Sequence, residues 1–261
     1  MKHATAVVCA LLGIASLVLG GLLVVQLQND DSAPHSTPPP VPERPESPDL
    51  PAEEQQSPQP PQLESPWLTA AAEKTGIPVR ALQSYVTAEA WAGREHPECG
   101  LGWTTLAGIG FVETAHGTIG GSAVDDTGVV GPEIFGPKLD GSVRGTAVIT
   151  DTDGGRLDGD NEHDRAVGPM QFLPSVWDKM AVDANGDGKK DPHSYDDAAV
   201  TAAAYLCAER SITTPEEWTK AVFSYNPDEA YVNAVWQAAN KAGTDAASGE
   251  VRVGRQVTPN F

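Results

Sequence analysis

One glutamate lies where the surrounding sequence could make its carboxyl group chemically useful. Glu113 ends an apolar, glycine-punctuated helical segment at residues 106–112. A carboxyl group that faces inward from such a segment loses hydration, and this raises its pKa. A protonated carboxyl group is what a glycosidic oxygen needs from a general acid. Taken alone, the local residues favour an ordinary surface glutamate at a helix end.

Oxygen-bearing side chains also recur at calcium-loop spacing. Asp183, Asn185 and Asp187 occupy positions 1, 3 and 5 of such a loop, Gly188 supplies the turn at position 6, and position 7 offers a backbone carbonyl. Position 12, where a bidentate glutamate is expected, is Ser194. The spacing therefore predicts a partial calcium loop, while metal-free turns of this composition remain the alternative.

Two of the three cysteines, Cys99 and Cys207, lie beyond the N-terminal apolar stretch. An even pair of thiols in an oxidising compartment forms disulfides, so we predict a bridge between them. Two separate buried thiols are the alternative that spacing leaves open. A bridge closing so long a loop would contribute about 3–5 kcal/mol in the chain-entropy description.

Four segments occur together in a fixed order along the chain. They are GIGFVETAHG at 108–117, AVGPMQFLPS at 166–175, the acidic run at 183–197, and FSYN at 223–226. Together they resemble the membrane-bound lytic transglycosylase B family, which is related to the lysozyme superfamily. The resemblance covers about residues 67–240, and the joint order of the motifs is more specific than any one of them.

The resemblance implies that Glu113 acts as both general acid and general base. It would protonate the oxygen leaving N-acetylmuramate and then accept the proton of the muramyl 6-hydroxyl, producing a 1,6-anhydro end without consuming water. Ordinary glycosidases use two carboxylates. The sequence fixes no second one, although aspartates between residues 151 and 164 could approach.

The resemblance also implies a set of substrate-binding residues. For Met170 and Phe172, core packing is an equal alternative, and for Tyr205 alone burial is the commoner fate. The predicted set is Met170, Gln171, Phe172, Tyr205, Tyr225 and Asn226.

The calcium loop of the family is longer than the common one and closes with an aspartate fourteen residues after the first. We therefore expect a structural Ca²⁺, held by Asp183, Asn185, Asp187, the Lys189 carbonyl and Asp197. The acidic runs at 151–155 and 158–160 lack complete ligand spacing. We interpret them as a solvated loop flanking the groove.

The patterns around these motifs predict a mainly α fold. Apolar residues repeat at helical spacing from Trp67, Thr214 begins a capping box, and another amphipathic helix follows Asp228. Residues 117–165 are rich in Gly and Asp and show no sustained period. We expect a lysozyme-like helical domain at 67–245 with this stretch as a long loop insertion, and a flexible tail at 246–261.

The N-terminal quarter does not have a globular composition. Residues 4–25 are apolar and long enough to cross a bilayer, so residues 1–26 are predicted to be a membrane anchor, with a cleaved signal peptide as the alternative. Twelve of the 22 prolines fall between Ala33 and Pro66. This composition predicts a disordered linker at 27–66, acting as a semi-extended spacer rather than as a proline-rich ligand.

The charge balance narrows the partners. With 36 acidic and 17 basic residues the formal charge is −19, which disfavours nucleic acid. The expected partners are peptidoglycan glycan strands and the membrane, with the catalytic domain on the extracytoplasmic side, or secreted if a signal is cleaved. A hydrolytic muramidase and a non-catalytic peptidoglycan-binding module are the competing functions.

Overall fold

The computed structural model describes residues 40–42, 45, 65–143, 145–208 and 210–248. Within these residues the fold is mainly α, as predicted. The helices are α1 (Pro66–Thr75), α2 (Val79–Glu95), α3 (Trp103–Thr114), α4 (Pro174–Met180), α5 (Tyr195–Cys207), α6 (Pro215–Tyr225) and α7 (Glu229–Ala247).

The starts of the last two helices follow from local side-chain chemistry. The Thr214 hydroxyl accepts a hydrogen bond from the Glu217 backbone N–H at 3.3 Å, and the Glu217 carboxylate accepts one from the Thr214 N–H at 3.1 Å. At α7, the carboxylate of Asp228 accepts from the Ala230 N–H at 2.7 Å. Both predicted helix starts are confirmed.

Helix α3 forms the centre of the hydrophobic core. Its residues from Trp103 to Gly110 are buried, and it packs against α7, α2 and α5. At Gly108 an added Cβ would lie 2.6 Å from the Val235 carbonyl oxygen of α7. A glycine is therefore required for the two helices to approach so closely, and this approach brings α7 side chains to the end of α3.

The insertion at 117–165 is ordered over its described residues. It holds a 3₁₀ turn (Ile119–Gly121) and two antiparallel strands, β1 (Ala123–Val124) and β2 (Val130–Gly131), in which Ala123 pairs with Gly131. The prediction of a solvated acidic loop here is wrong in part. Within the two acidic runs, Asp158 is buried and its carboxylate accepts the Arg165 backbone N–H. Asp164, outside those runs, is also buried and accepts the Thr152 N–H.

The predicted disulfide is present. It joins Cys99, which follows α2, to Cys207 at the end of α5, with a Cα–Cα distance of 5.4 Å. The Ile212 N–H also donates to the Cys99 carbonyl at 2.8 Å. The bridge therefore ties the start of the α3 segment to the chain leaving α5.

The predicted membrane segment and residues 249–261 of the predicted tail lie outside the described residues, as does most of the predicted linker. The predicted start of the tail at 246 is wrong, because α7 continues to Ala247 and the side chain of Ala246 is buried. No helix in the described part of the chain is both long and apolar enough to cross a membrane. A short piece of the linker departs from the spacer prediction, because Pro42 is buried and the Pro40 carbonyl accepts a hydrogen bond from the Trp236 indole N–H of α7 at 2.6 Å.

Candidate active site

The side chain of Glu113 lines a cleft of about 560 Å³, a volume that includes space open to solvent. Its walls come from the end of α3, the insertion, the turn before α4, α4 itself, and the ends of α5 and α6. The lining residues are Glu113, Leu139, Ala147, Ile149, Gln171, Phe172, Leu173, Val176, Tyr205, Tyr225 and Asn226.

The carboxyl group of Glu113 is set for proton transfer near neutral pH. Burial raises its pKa from an ordinary value near 4.5 to about 7, which outweighs the lowering by a hydrogen bond from Tyr231. The Tyr231 hydroxyl donates to Oε1 at 2.6 Å. One oxygen is thus held by a tyrosine while the side chain reaches the cleft.

The chain just after Glu113 is fixed in an uncommon backbone conformation. Ala115 (φ 49°), His116 (φ 62°) and Gly117 (φ 76°) are consecutive left-handed residues, a strained arrangement for the two non-glycines. The Tyr85 hydroxyl contacts the His116 Nδ1 at 3.0 Å. Burial lowers the pKa of His116 to about 4, so its imidazole is neutral where Glu113 titrates.

Thr114 links the helix carrying Glu113 to the opposite side of the site. Its buried hydroxyl donates to the Pro169 carbonyl at 2.6 Å and accepts from the Gly117 N–H at 2.9 Å. The position of Glu113 is therefore tied by one side chain to the turn that carries Gln171.

That turn is a tight reversal between Val167 and Phe172, whose backbones exchange hydrogen bonds of 2.8 and 3.0 Å. Gly168 has φ 76°, and a Cβ there would lie 1.9 Å from the Pro192 carbonyl oxygen. Gln171 is itself left-handed (φ 50°), and its Nε2 donates to the Gly168 carbonyl at 2.8 Å. The amide is thereby oriented within the cleft wall.

Met170 is placed differently from the prediction. Its side chain is fully buried in the core and does not line the cleft. Core packing explains this, since the reversal turns Met170 inward while Gln171 and Phe172 line the cleft. The Met170 backbone still contributes, because its carbonyl accepts a hydrogen bond from the Tyr225 hydroxyl at 2.7 Å.

An aromatic group forms one wall of the cleft. The ring of Tyr225 lies edge-on to Phe172 and Tyr205, with centroid distances of 5.8 and 5.6 Å. The Tyr205 hydroxyl donates to the Ser224 carbonyl at 2.6 Å. Both hydroxyls are therefore used in holding the wall, which leaves ring edges and faces for a ligand.

Five of the six predicted substrate residues line one cleft with Glu113, and several further site residues were missed. The insertion supplies Leu139, Ala147 and Ile149, although nothing periodic in its sequence pointed to them. Tyr231 was interpreted only as part of an amphipathic helix. Among the described lining residues, Glu113 is the one carboxylate, and none of the insertion aspartates joins it.

In the predicted calcium loop, the acidic side chains accept hydrogen bonds from backbone N–H groups of the same loop. Asp183 accepts from the Gly186 and Gly188 N–H groups at 2.8 and 2.9 Å, and Asp187 Oδ1 accepts from the Lys189 N–H at 2.8 Å. At the other end of the loop, Asp197 is fully buried. Burial raises its pKa to about 6, and the negative charge of Asp183 adds to this.

The donor chemistry of this loop fits calcium, which prefers oxygen ligands. Within the part of the chain that the structure describes, Asp183, Asp187 and Asp197 do not draw their carboxylate oxygens into one close group. The group that does is Asp151, Asp153 and Asp164 of the insertion, whose oxygens lie within 4.8 Å of one another. The structure thus holds a converged acidic group where the sequence predicted none.

Comparison with known proteins adds a family match. Residues 164–222, less than a quarter of the chain, match the family described as Transglycosylase SLT domain. The match contains Gln171 and the acidic loop but stops short of Tyr225 and does not reach Glu113. The comparison with curated proteins finds no match.

Among solved structures, the chain is similar to the Escherichia coli lytic transglycosylase SLT35. In complex with calcium, that protein is 15% identical, with 74% of this chain and 82% of that chain covered and a TM-score of 0.40. In complex with bulgecin A, the values are 16%, 72%, 81% and 0.39. Similarity at this level is too loose to transfer any property.

The family match coincides with the half of the site that the Gly168 turn and α5 build. Taken with the cleft around Glu113, it indicates an enzyme of the lytic transglycosylase class.

Proposed function

We propose that this enzyme cleaves the β-1,4 bond between N-acetylmuramate and N-acetylglucosamine in peptidoglycan strands, without hydrolysis, and that it belongs with the membrane-bound lytic transglycosylase B family. The observation that carries the proposal is the isolation of Glu113. It is the one carboxylate among the described lining residues, and its pKa is raised to about 7.

A single carboxyl group must serve both halves of the reaction. The protonated Glu113 gives its proton to the glycosidic oxygen as the bond from that oxygen to muramyl C1 breaks. The muramyl 6-hydroxyl then bonds to C1, and its proton passes to the Glu113 carboxylate. Glu113 gives up one proton and regains one, so the acid is regenerated and no water is consumed.

The neighbouring groups have supporting roles in this scheme. The hydroxyl of Tyr231 stabilises the carboxylate form of Glu113 after the first proton transfer, because it donates to Oε1. Gln171 and Asn226 offer amides to the sugars, and the rings of Phe172, Tyr205 and Tyr225 offer apolar faces. The lactyl and acetamido groups of N-acetylmuramate carry polar atoms for the amides and methyl groups for the rings.

The test is a Glu113→Gln variant assayed for clearing of peptidoglycan in a gel. We expect clearing to be lost, because glutamine cannot deliver a proton. Mass spectrometry of digested sacculi then identifies the wild-type chemistry, since a 1,6-anhydro end is lighter than a reducing end by one water. Clearing by the variant would refute the mechanism, and reducing ends alone would show a muramidase.

We also propose a structural Ca²⁺ in the loop from Asp183 to Asp197, supported by its oxygen donors. We expect chelator to lower the melting temperature of the full-length protein, with measurable release of calcium. Asp183→Asn is expected to abolish that response. The matched control is Asp151→Asn in the other acidic group, and loss of the response there instead would place the ion in the insertion.

We propose an extracytoplasmic location with an N-terminal membrane tether. The support is the Cys99–Cys207 bridge, because such bonds persist in oxidising compartments. The full-length protein is expected to sediment with membranes and to resist an alkaline wash. Release into the soluble fraction with a shortened N-terminus, seen by mass spectrometry, would show a cleaved signal.

A further inference from the structure

The proline-rich region contains a short motif that the catalytic proposal leaves unused. Residues 38–45 read PPPVPERP, which includes the spacing Pro39-x-x-Pro42-x-Arg44. Proline fixes φ near −65° and favours polyproline II, a conformation whose carbonyls point outward without internal partners. Such a segment loses little conformational entropy on binding, and aromatic surfaces with an indole N–H are its usual receptors.

The structure places part of this motif against the helical domain. The Trp236 indole N–H donates to the Pro40 carbonyl at 2.6 Å. Val41 packs against the edge of the hydrophobic core, as do Trp67 and Trp236, and Pro42 is buried. A segment with no fold of its own thus has one directional hydrogen bond and two anchored side chains.

Trp236, which holds the proline segment, lies on α7, the helix that also supplies the hydrogen bond from Tyr231 to Glu113. Tyr231 and Trp236 are five residues apart on α7, which turns their side chains by roughly 140° and separates them by about 7.5 Å along the axis. Tyr231 reaches Glu113 on one side. Trp236 therefore presents its indole away from the cleft, so the linker contact leaves the substrate path open.

We propose that α7 carries a polyproline-binding surface around Trp236 whose ligand is the protein's own linker, at Pro40–Pro42. The docked segment divides the predicted linker at 27–66 into two parts. Only residues 27–39 then separate the docked segment from residues 1–26, whereas the whole of 27–66 separates them from the helical domain when the segment is free. The surface thus sets how far the domain stands from whatever holds residues 1–26.

The test uses a protease that cleaves after glutamate, because Glu43 follows the docked segment and Glu53 lies further along the linker. In the full-length protein, cleavage after Glu43 follows the fraction of undocked segment. Trp236→Phe keeps an aromatic ring and removes the indole N–H. The matched control is Trp91→Phe on α2, whose partly buried ring contacts His96.

We expect Trp236→Phe to speed cleavage after Glu43 about fivefold, the effect of one neutral hydrogen bond, with cleavage after Glu53 unchanged. Trp91→Phe should match wild type at both positions. Val41→Asp, a change outside every described helix, should also speed cleavage after Glu43 once normalised to a free peptide with the same change. A wild-type rate after Glu43 in Trp236→Phe, or an equal rise at both positions, overturns the proposal.

Discussion

The Tyr231 hydroxyl lies 2.6 Å from Glu113 Oε1 and donates to it, although the two residues lie 118 positions apart in the sequence. The contact opposes burial, which by itself would push the pKa of Glu113 higher still. The pKa of Glu113 is therefore near neutrality because burial raises it and the hydrogen bond from Tyr231 lowers it.

Replacing Tyr231 by phenylalanine should raise the pKa of Glu113 above about 7, because the donor that stabilises the carboxylate is lost. The alkaline limb of the kcat/KM profile should move up by about one pH unit. The control is Tyr205→Phe. The Tyr205 hydroxyl donates to the Ser224 carbonyl and not to Glu113, so the alkaline limb of this variant should stay at the wild-type pH. A limb that does not move in Tyr231→Phe would exclude this coupling.

Glu113 should also make the protein less stable as the pH rises. Its pKa is about 7 when folded and near 4.5 when unfolded, so between these values only the folded protein keeps the proton. Stability that is present below about pH 4.5 is thus lost as the pH rises towards 7. Glu113→Gln should gain on the order of 1–3 kcal/mol relative to wild type between pH 5 and pH 8.

Thermal unfolding at the two pH values measures this difference. The exposed Glu73→Gln on α1 is the control for the loss of one negative charge. A Glu113→Gln variant that behaves like Glu73→Gln would contradict the raised pKa.

Removing the Thr114 hydroxyl should weaken both the fold and the site. Thr114→Val leaves the Gly117 N–H without its acceptor and frees the Pro169 carbonyl, at a cost of about 1–3 kcal/mol. We expect kcat to fall as well, because the turn carrying Gln171 is no longer tied to α3. Thr114→Ser keeps the hydroxyl and should retain most activity and stability, measured by turnover and urea unfolding.

Gly168 should tolerate no side chain. Gly168 and Gly159 share φ 76°, but a Cβ at Gly168 would lie 1.9 Å from the Pro192 carbonyl oxygen, while nothing lies within 4 Å at Gly159. Gly159→Ala should cost about 1 kcal/mol for the left-handed backbone alone. Gly168→Ala should cost at least about 2 kcal/mol more, since the backbone must shift. If urea unfolding gives the same loss of unfolding free energy for Gly168→Ala and Gly159→Ala, the turn at Gly168 can relax.

The predictable parts of this protein are those with local causes. The capping box at Thr214, the helix start at Asp228 and the Cys99–Cys207 pair follow from residue types at short spacing or from compartment chemistry. Glu113 and the cleft residues at 171–172 and 225–226 were found because their motifs occur in order. Each of these signals can be recognised in the sequence without knowledge of the tertiary contacts.

The missed parts depend on contacts between distant segments. Leu139 and Ile149 line the cleft because their backbones pair with each other, and the insertion shows no period that predicts such pairing. Tyr231 fits an ordinary amphipathic helix until α3 is placed beside it. Pro40 belongs to a composition typical of disorder, and its hydrogen bond from the Trp236 indole follows only from the position of α7.

The insertion has a consequence for how the enzyme could diversify. Its three wall residues belong to a segment separate from the helices that hold Glu113, Tyr231 and Thr114. Exchanging that segment would change one wall of the cleft without replacing Glu113, Tyr231 or Thr114. One wall of the cleft and the residues that position Glu113 are thus encoded in different stretches of chain.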